Sequence, residues 1–322
     1  MKYNVQQEID ERTRLVGQNK FEMMLFRLGE AGNSGQCELY GINVFKIREL
    51  LDMTSLRVTP IAGAPPLIMG VVNVRGQIIQ VIDLPAAVGC APEKYRILML
   101  TEYAGTTQAF AVENVEDIVR LDWSRVKPAD GVSGGSGTVT SIAHLENDIG
   151  GTMLAQVLDV EQILRTVNGD GKVKVEASEV GASVELPPGA VILAADDSGV
   201  ARMMIEEGLK AMELPFVMTK SGKEAWERLL EMAAAAEKAG KGVRQSVALV
   251  LTDLEMPEMD GFTLTKSIKT DPRLRDIPVV IHSSLSGATN ESHVKSAGAD
   301  GYVAKFNPHK LAEALRTALR AA

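Results

Sequence analysis

Three carboxylates, a hydroxyl and an ammonium stand at the ends of four apolar runs in the second half of this 322-residue sequence. The run 190–195 (AVILAA) ends in Asp196-Asp197, 247–252 (VALVLT) in Asp253, 277–282 (IPVVIH) in Ser283-Ser284, and 300–304 (DGYVA) in Lys305. A single aspartate closing a strand is as readily a solvated terminus or a helix cap. The whole set fits metal-assisted phosphoryl chemistry. Clustered carboxylates repel one another unless a cation offsets them, and hard oxygen ligands without cysteine or histidine suit Mg2+. A lysine and a hydroxyl beside them can hold phosphoryl oxygens, and a carboxylate can itself be the nucleophile, giving an acyl phosphate.

Such chemistry needs the four run ends to meet. Short continuous apolar runs read as strands buried on both faces, which suits a parallel sheet, and parallel strands place their C-terminal ends at one edge. That edge is where open α/β sheets bind ligands. Pro257 prevents a simple helical continuation after Asp253, so 254–260 is expected to be a shaped loop.

These residues carry a resemblance. Asp196-Asp197, Thr252-Asp253-Leu254-Glu255-Met256-Pro257, Asp260-Gly261, Ser283 and Lys305 resemble the receiver domains of two-component response regulators over about 188–322, with Ser283 and Lys305 lying 30 and 52 residues beyond Asp253. The resemblance implies a flavodoxin-like (β/α)5 fold, Asp253 as phosphoacceptor, and Mg2+ held by Asp197 and Asp253, by Asp196 through water and by the Glu255 main-chain carbonyl. It further implies Ser283 and Lys305 as phosphoryl contacts and Tyr302 as an aromatic switch. Two features depart from the pattern. The stretch 224–246, with its Ala233–Ala236 run, reads as a lengthened second helix followed by a Gly240/Gly242 loop; Lys305 is followed by Phe306-Asn307-Pro308, whereas many receivers have proline directly after the lysine.

The chain length suggests two domains, each able to bury a core. A formal net charge of −8 argues against broad binding to nucleic acid or anionic membranes. No apolar run approaches membrane-spanning length and 1–10 lacks the apolar centre of a signal peptide, so a cytoplasmic protein is expected. Cys37 and Cys90 form neither a metal spacing nor a disulfide framework and read as reduced thiols.

The first half reads as short strands. Residues 1–19 are polar and read as a short helix or loose arm. Strands are expected over 21–28 and 37–42 across the Gly32–Gly35 turn, and 44–51 is either a short strand or the start of a helix. Two apolar runs flank Arg75-Gly76 as a tight hairpin or a sharply bent pair. Further strands follow at 96–101, 107–112 and 153–158. This pattern favours antiparallel β barrels. The glycine-rich 131–138 lacks a P-loop ending and reads as a mobile connector. His144, His282, His293 and His309 share no ligand spacing.

Gly41–Leu50, Gly70-Val71-Val72-Asn73-Val74-Arg75-Gly76 and Ile78–Leu84 resemble the chemotaxis coupling domain CheW over about 20–167, although Gln80 stands where that family often has proline. The resemblance implies a double small β barrel that binds chemoreceptor cytoplasmic tips and the histidine kinase CheA, with Ile47, Glu49, Gly70 and Arg75 at contact positions. Residues 168–187 shift to Gly, Lys, Glu, Val and Pro and read as a linker. A CheW-like domain followed by a receiver is the arrangement of the CheV coupling proteins. It implies a multidomain chemotaxis adaptor, held at membrane receptor arrays by protein contacts, with CheA, receptors and CheW as candidate partners. Such a chain is a stoichiometric phosphoacceptor that modulates coupling or adaptation and can act as a phosphate sink. The alternative is a Mg2+-dependent aspartyl-phosphate phosphatase or phosphotransferase. Haloacid-dehalogenase-type hydrolases typically carry an aspartate two residues after the nucleophile, where this chain has Glu255. A transcriptional regulator would need a DNA-binding helical domain, which the β-rich first half does not offer.

Overall fold

Apolar side chains alternate to both faces of Lys20–Arg27, and each face meets a different core: Phe21, Met23 and Leu25 enter one, Met24 and Phe26 another. The computed structural model describes residues 20–32, 35–103, 106–129, 137–146, 151–169, 175–181, 184–283, 297–305 and 307–321. Readings that fall on 1–19, Asn33-Ser34, Gly131–Ser136, the start of the 168–187 segment at 170–174, Ser284, His293 and Phe306 lie outside the described residues. The chain divides into two units, Phe21–Gly171 and Lys172–Ala322.

The first unit contains strands β1 (Lys20–Arg27), β2 (Glu30–Ala31), β3 (Leu39–Asn43), β4 (Ile47–Asp52), β5 (Ile68–Val74), β6 (Gln77–Asp83), β7 (Cys90–Ala91), β8 (Ile97–Tyr103), β9 (Thr106–Val112), β10 (Asn114–Asp122), β11 (Val126–Pro128), β12 (Val139–Glu146) and β13 (Thr152–Leu158), with helices α1 (Leu84–Val88) and α2 (Val160–Asn168). A six-stranded sheet runs β10-β1-β3-β13-β12-β11 and a five-stranded one β4-β8-β9-β6-β5. Most pairings are antiparallel; β13–β3 and β6–β9 are parallel. Each sheet wraps its own core, around Phe21, Met23 and Trp123 in one and Val72, Val81 and Leu100 in the other. A third core, with Phe26, Ile42, Phe110 and Ile163, lies between the sheets. Strands facing two cores are apolar on both sides, which is why β1 and β9 lack the clean alternation of a half-exposed strand.

The expected hairpins form: β1 pairs with β3, β8 with β9, and β5 with β6 around Arg75-Gly76. Both turn residues take left-handed backbone, at φ 52° and 88°, and Asn73 accepts a hydrogen bond from the Gly76 amide at 2.8 Å. The stretch 44–51 resolves into a 3-10 turn (Val44–Lys46), started by the Asn43 side chain accepting from Phe45 N, and then β4. The reading passed over β10, β12, α1 and α2.

The second unit carries β14 (Val191–Ala195), β15 (Phe216–Thr219), β16 (Val247–Thr252), β17 (Val279–Ser283) and β18 (Gly301–Ala304) in a parallel sheet of order β15-β14-β16-β17-β18. Its described helices are α3 (Ala177–Val180), α4 (Gly199–Ala211), α5 (Gly222–Lys238), α6 (Gly261–Thr270) and α7 (Pro308–Ala321). Ile192, Ala194, Leu249 and Leu251 pack against α4 and α7 on one face; Leu193, Ala195 and Val250 pack against α5 and α6 on the other. Burial on both faces is the reason these strands read as continuous apolar runs. The second long helix, α5, spans 17 residues, and Gly240 follows it at φ 67°.

The segment read as a linker is in part folded. Asn168 closes α2, capped by Gly169 at φ 67°. Val175 and Val180 are buried in the core that contains Leu311 and Leu315, and Arg316 donates to the Val180 carbonyl at 2.6 Å. A capping box between Glu176 and Glu179 starts α3. Two valines in a polar stretch are too weak a pattern to announce that packing. No helix among the described residues is long and apolar enough to cross a membrane.

Candidate functional site

The parallel register brings the C-terminal ends of β14, β16, β17 and β18 to one edge. Ala195 pairs with Thr252 and Thr252 with Ile281, so Asp196, Asp253 and Ser283 emerge on adjacent strands, and Ser283 pairs with Ala304, next to Lys305. The Lys305 ammonium lies 2.8 Å from Asp196 Oδ2 and 3.0 Å from Asp253 Oδ2. All three side chains are buried, with relative exposures of 1%, 0% and 6%. One oxygen each of Asp196, Asp197 and Asp253 lies within 4.8 Å of the others, Asp197 being the more open to solvent. Burying charges is costly unless they are paired, and the ammonium shared by two carboxylates offsets that cost here.

Main-chain contacts hold these groups in place. Asp253 N donates to Ala195 O at 2.8 Å, Leu254 N to Asp253 Oδ1 at 2.7 Å, and Lys305 N to Ser283 O at 2.9 Å. Ser198 caps α4, its amide donating to Asp196 Oδ1 at 2.9 Å. After Asp253 the chain makes the expected shaped loop: Glu258 takes φ 66°, Gly261 N donates to Leu254 O at 2.8 Å, and Asp260 caps α6 through the Thr263 amide at 2.6 Å. Burial pushes the Asp260 carboxyl up, and its hydrogen bonds from Thr263 and Phe262 partly offset this. Glu255 is half-buried in the same loop.

The donor set suits a hard divalent cation: three carboxylates, with no sulfur or ring nitrogen among them. His282, next to Ser283, is fully buried. Burial first, and the charge of Lys305 second, push its imidazole well below the usual histidine range, so it stands neutral.

Not every predicted site residue joins this cluster. Tyr302 is half-buried on β18, in a small apolar group with Ile281, Phe262 and Leu254, the residue that follows Asp253. The residues expected to form the docking surface lie in the first unit and differ among themselves. Ile47 is 8% exposed and packs in the core between the sheets, so its side chain is not presented to a partner. Gly70 takes φ 145°, and a Cβ there would stand 2.2 Å from Thr59 O, across the bridge between Thr59 and Val71. Its lack of a side chain thus serves close backbone approach. Glu49 and Arg75 do meet: Arg75 Nη2 donates to Glu49 Oε1 at 2.5 Å, spanning the edge strand β4 and the hairpin tip of the other edge strand, β5. The Arg75 side chain remains 76% exposed.

One neighbour of the cluster escaped the sequence reading. Arg202, on the first turn of α4, donates through Nη1 to the carbonyls of both Asp196 and Asp197, at 2.8 and 2.9 Å. A basic residue one helical turn past the acidic pair was the available signal.

Residues 22–168 match the CheW-like domain family and residues 192–316 the response regulator receiver domain family. Chemotaxis protein CheV3 of Helicobacter pylori is 30% identical over 282 residues, covering 85% of this chain and 86% of that protein. The chain belongs to the CheV family of chemotaxis proteins. A second CheV relative, CheV2 of the same organism, is 27% identical over 327 residues, covering 97% of this chain and 99% of its own length. Among solved structures, the scaffolding protein TtCheW from Thermoanaerobacter tengcongensis is 25% identical, covers 47% of this chain and 95% of its own, and has a TM-score of 0.39. This CheV-family chain thus joins a β-rich CheW-like domain to a receiver of flavodoxin-like strand order.

Proposed function

We propose that this CheV-family chain is a receptor–kinase coupling adaptor whose receiver accepts a phosphoryl group on Asp253 from a CheA-type histidine kinase. The observation that carries the reading is the buried Lys305 ammonium shared between Asp196 and Asp253, with an Asp197 oxygen within 4.8 Å of theirs. An Asp253 oxygen attacks phosphorus; the bond from phosphorus to the donor breaks, and its electron pair leaves on the donor, an imidazole when the donor is a phosphohistidine. Asp197, Asp253, the Glu255 carbonyl and, through water, Asp196 would hold Mg2+, which when bound supplies positive charge against the crowded oxygens. Lys305 moves part of its hydrogen bonding to a phosphoryl oxygen, and the Ser283 hydroxyl donates to another.

The signal then has a short path. Leu254 is bonded through its amide to Asp253 and packs in the group that includes Tyr302. A phosphoryl group that repositions the Asp253 carboxylate acts on that group directly. A full reversal from 1:99 to 99:1 needs about 5.5 kcal/mol of differential stabilisation, so a partial shift in coupling is expected.

In reconstituted arrays of receptor and kinase, phosphodonor changes kinase output in the presence of wild type and leaves it unchanged with Asp253→Asn. Equal output from both proteins would make the receiver a phosphate sink only. The phosphatase alternative separates in the same samples: a stoichiometric acceptor takes up one phosphoryl group per chain, whereas a hydrolase releases phosphate continuously.

For docking, Arg75 is the expected contact. Exposed pairs contribute only about 0–1 kcal/mol to stability, so Arg75→Glu should leave the melting temperature nearly unchanged. Its co-sedimentation with receptor arrays should fall several-fold, most strongly at low salt. Adding Glu49→Arg restores the internal pair but not binding. Full recovery in the double reversal would reduce Arg75 to a partner of Glu49.

A further inference from the structure

Arg202 follows the acidic pair by one helical turn, and among the described residues its side-chain hydrogen bonds go to main-chain carbonyls. Nη1 alone donates both of them, to the carbonyls of two successive residues, Asp196 and Asp197. Successive carbonyls point to opposite sides in an extended strand. Here they converge because the chain bends between β14 and α4, where the Ser198 amide turns back to Asp196 Oδ1 at 2.9 Å and Asp196 N reaches Thr219 O at 3.3 Å. The Arg202 amide itself donates to Ser198 O at 3.0 Å, so the side chain reaches back over the cap of its own helix. Both peptide planes that aim the acidic pair are therefore fixed from behind. One carboxylate oxygen each of Asp196 and Asp197 lies in the cluster they form with Asp253.

We infer that Arg202 is a positioning residue for divalent-cation binding at Asp196, Asp197 and Asp253, acting through the backbone of the acidic pair. The inference rests on the metal-dependent phosphoacceptor reading and adds a residue to it. Two physical effects of the guanidinium oppose each other. Its positive charge disfavours a nearby cation, so removing that charge alone would tighten binding. Its hydrogen bonds hold ligand-bearing backbone, and loss of such outer contacts typically weakens metal binding by about 10–100-fold. Asp197, the least buried of the three acids, has the most to lose from a free backbone. The positioning effect is therefore expected to win.

The sign of the change decides between them. Mg2+ binding to the full chain is measured by calorimetry, with Mn2+ electron paramagnetic resonance as a second probe, on wild type, Arg202→Met and Arg202→Lys. Near-ultraviolet circular dichroism without metal confirms that each is folded. Arg202→Met is expected to bind Mg2+ about tenfold more weakly or worse, whereas Arg202→Lys, whose ammonium can still reach both carbonyls, recovers most of the affinity. A residue that served only the fold would lower the melting temperature without shifting affinity in the folded protein. Arg202→Met binding Mg2+ as tightly as wild type, or more tightly, overturns the inference while leaving the metal site standing. If the methionine variant does not fold, Arg202→Gln takes its place under the same criterion. Wild type that binds no Mg2+ overturns the metal reading and this inference together.

Discussion

Asp253→Asn abolishes Mg2+-dependent labelling by a small phosphodonor, down to the background of unfolded protein. The amide keeps the size of the side chain and removes the nucleophilic charge. It also removes one of the two carboxylates that share the Lys305 ammonium, leaving the 2.8 Å contact to Asp196. Metal linkage changes with it. Wild type gains about 2.7 kcal/mol of stability at a Mg2+ concentration 100 times its dissociation constant, and the variant loses most of that gain. Without metal the variant melts no lower than wild type, because one of three mutually repelling carboxylates has gone. Intact-mass spectrometry and melting curves with and without Mg2+ check both halves. Persistent Mg2+-dependent labelling of Asp253→Asn would remove the phosphoacceptor from this site.

Gly261→Ala destabilises the receiver through a single methyl group. A Cβ at Gly261 would stand 2.1 Å from Asp253 O and 3.0 Å from Asp253 C, both backbone atoms that a rotamer change cannot move. The glycine is buried at the start of α6, and its amide is already committed to Leu254 O at 2.8 Å. Separating the two segments breaks that bond and displaces the main chain of the phosphoacceptor. Overpacking costs about 1–3 kcal/mol, and the backbone contact puts this case at the upper end. For a unit of this size that lowers the melting temperature by roughly 5–10 °C. Gly242→Ala is the control: nothing lies within 4 Å of its added methyl and its φ is not left-handed, so the same calorimetric trace should not move. Equal melting of the two variants would mean that the 253–261 loop yields more easily than its contacts suggest.

The proposed site of the second unit was legible in the order of its residues alone. β14, β16 and β17 are buried on both faces, so each wrote itself as an apolar run, and each run stops at a polar or charged residue at the sheet edge. Asp196, Asp197, Asp253, Ser283 and Lys305 could be named without coordinates because parallel strands bring their C-terminal ends together. The Arg75-Gly76 hairpin was legible for a similar reason: its pairing is local, and a two-residue turn leaves a compact signal.

The remaining features are non-local. β15 is a four-residue edge strand with half-buried side chains, too short and too exposed to stand out, and β12 mixes Thr, Ser, His and Glu with its apolar residues. The parallel pairing of β13 with β3 joins residues more than a hundred positions apart, and no local pattern encodes it. Ile47 looks like any alternating strand residue until β4 closes over the core between the sheets. Val175 and Val180 sit in a polar stretch, and only the presence of Leu311 and Leu315 makes them core. Arg202 is one more charged residue on an amphipathic helix until the bend before α4 turns two carbonyls toward it. Periodicity reports which face of an element is buried; what that face meets is fixed by contacts between distant segments, and there the sequence pattern has no memory of distance.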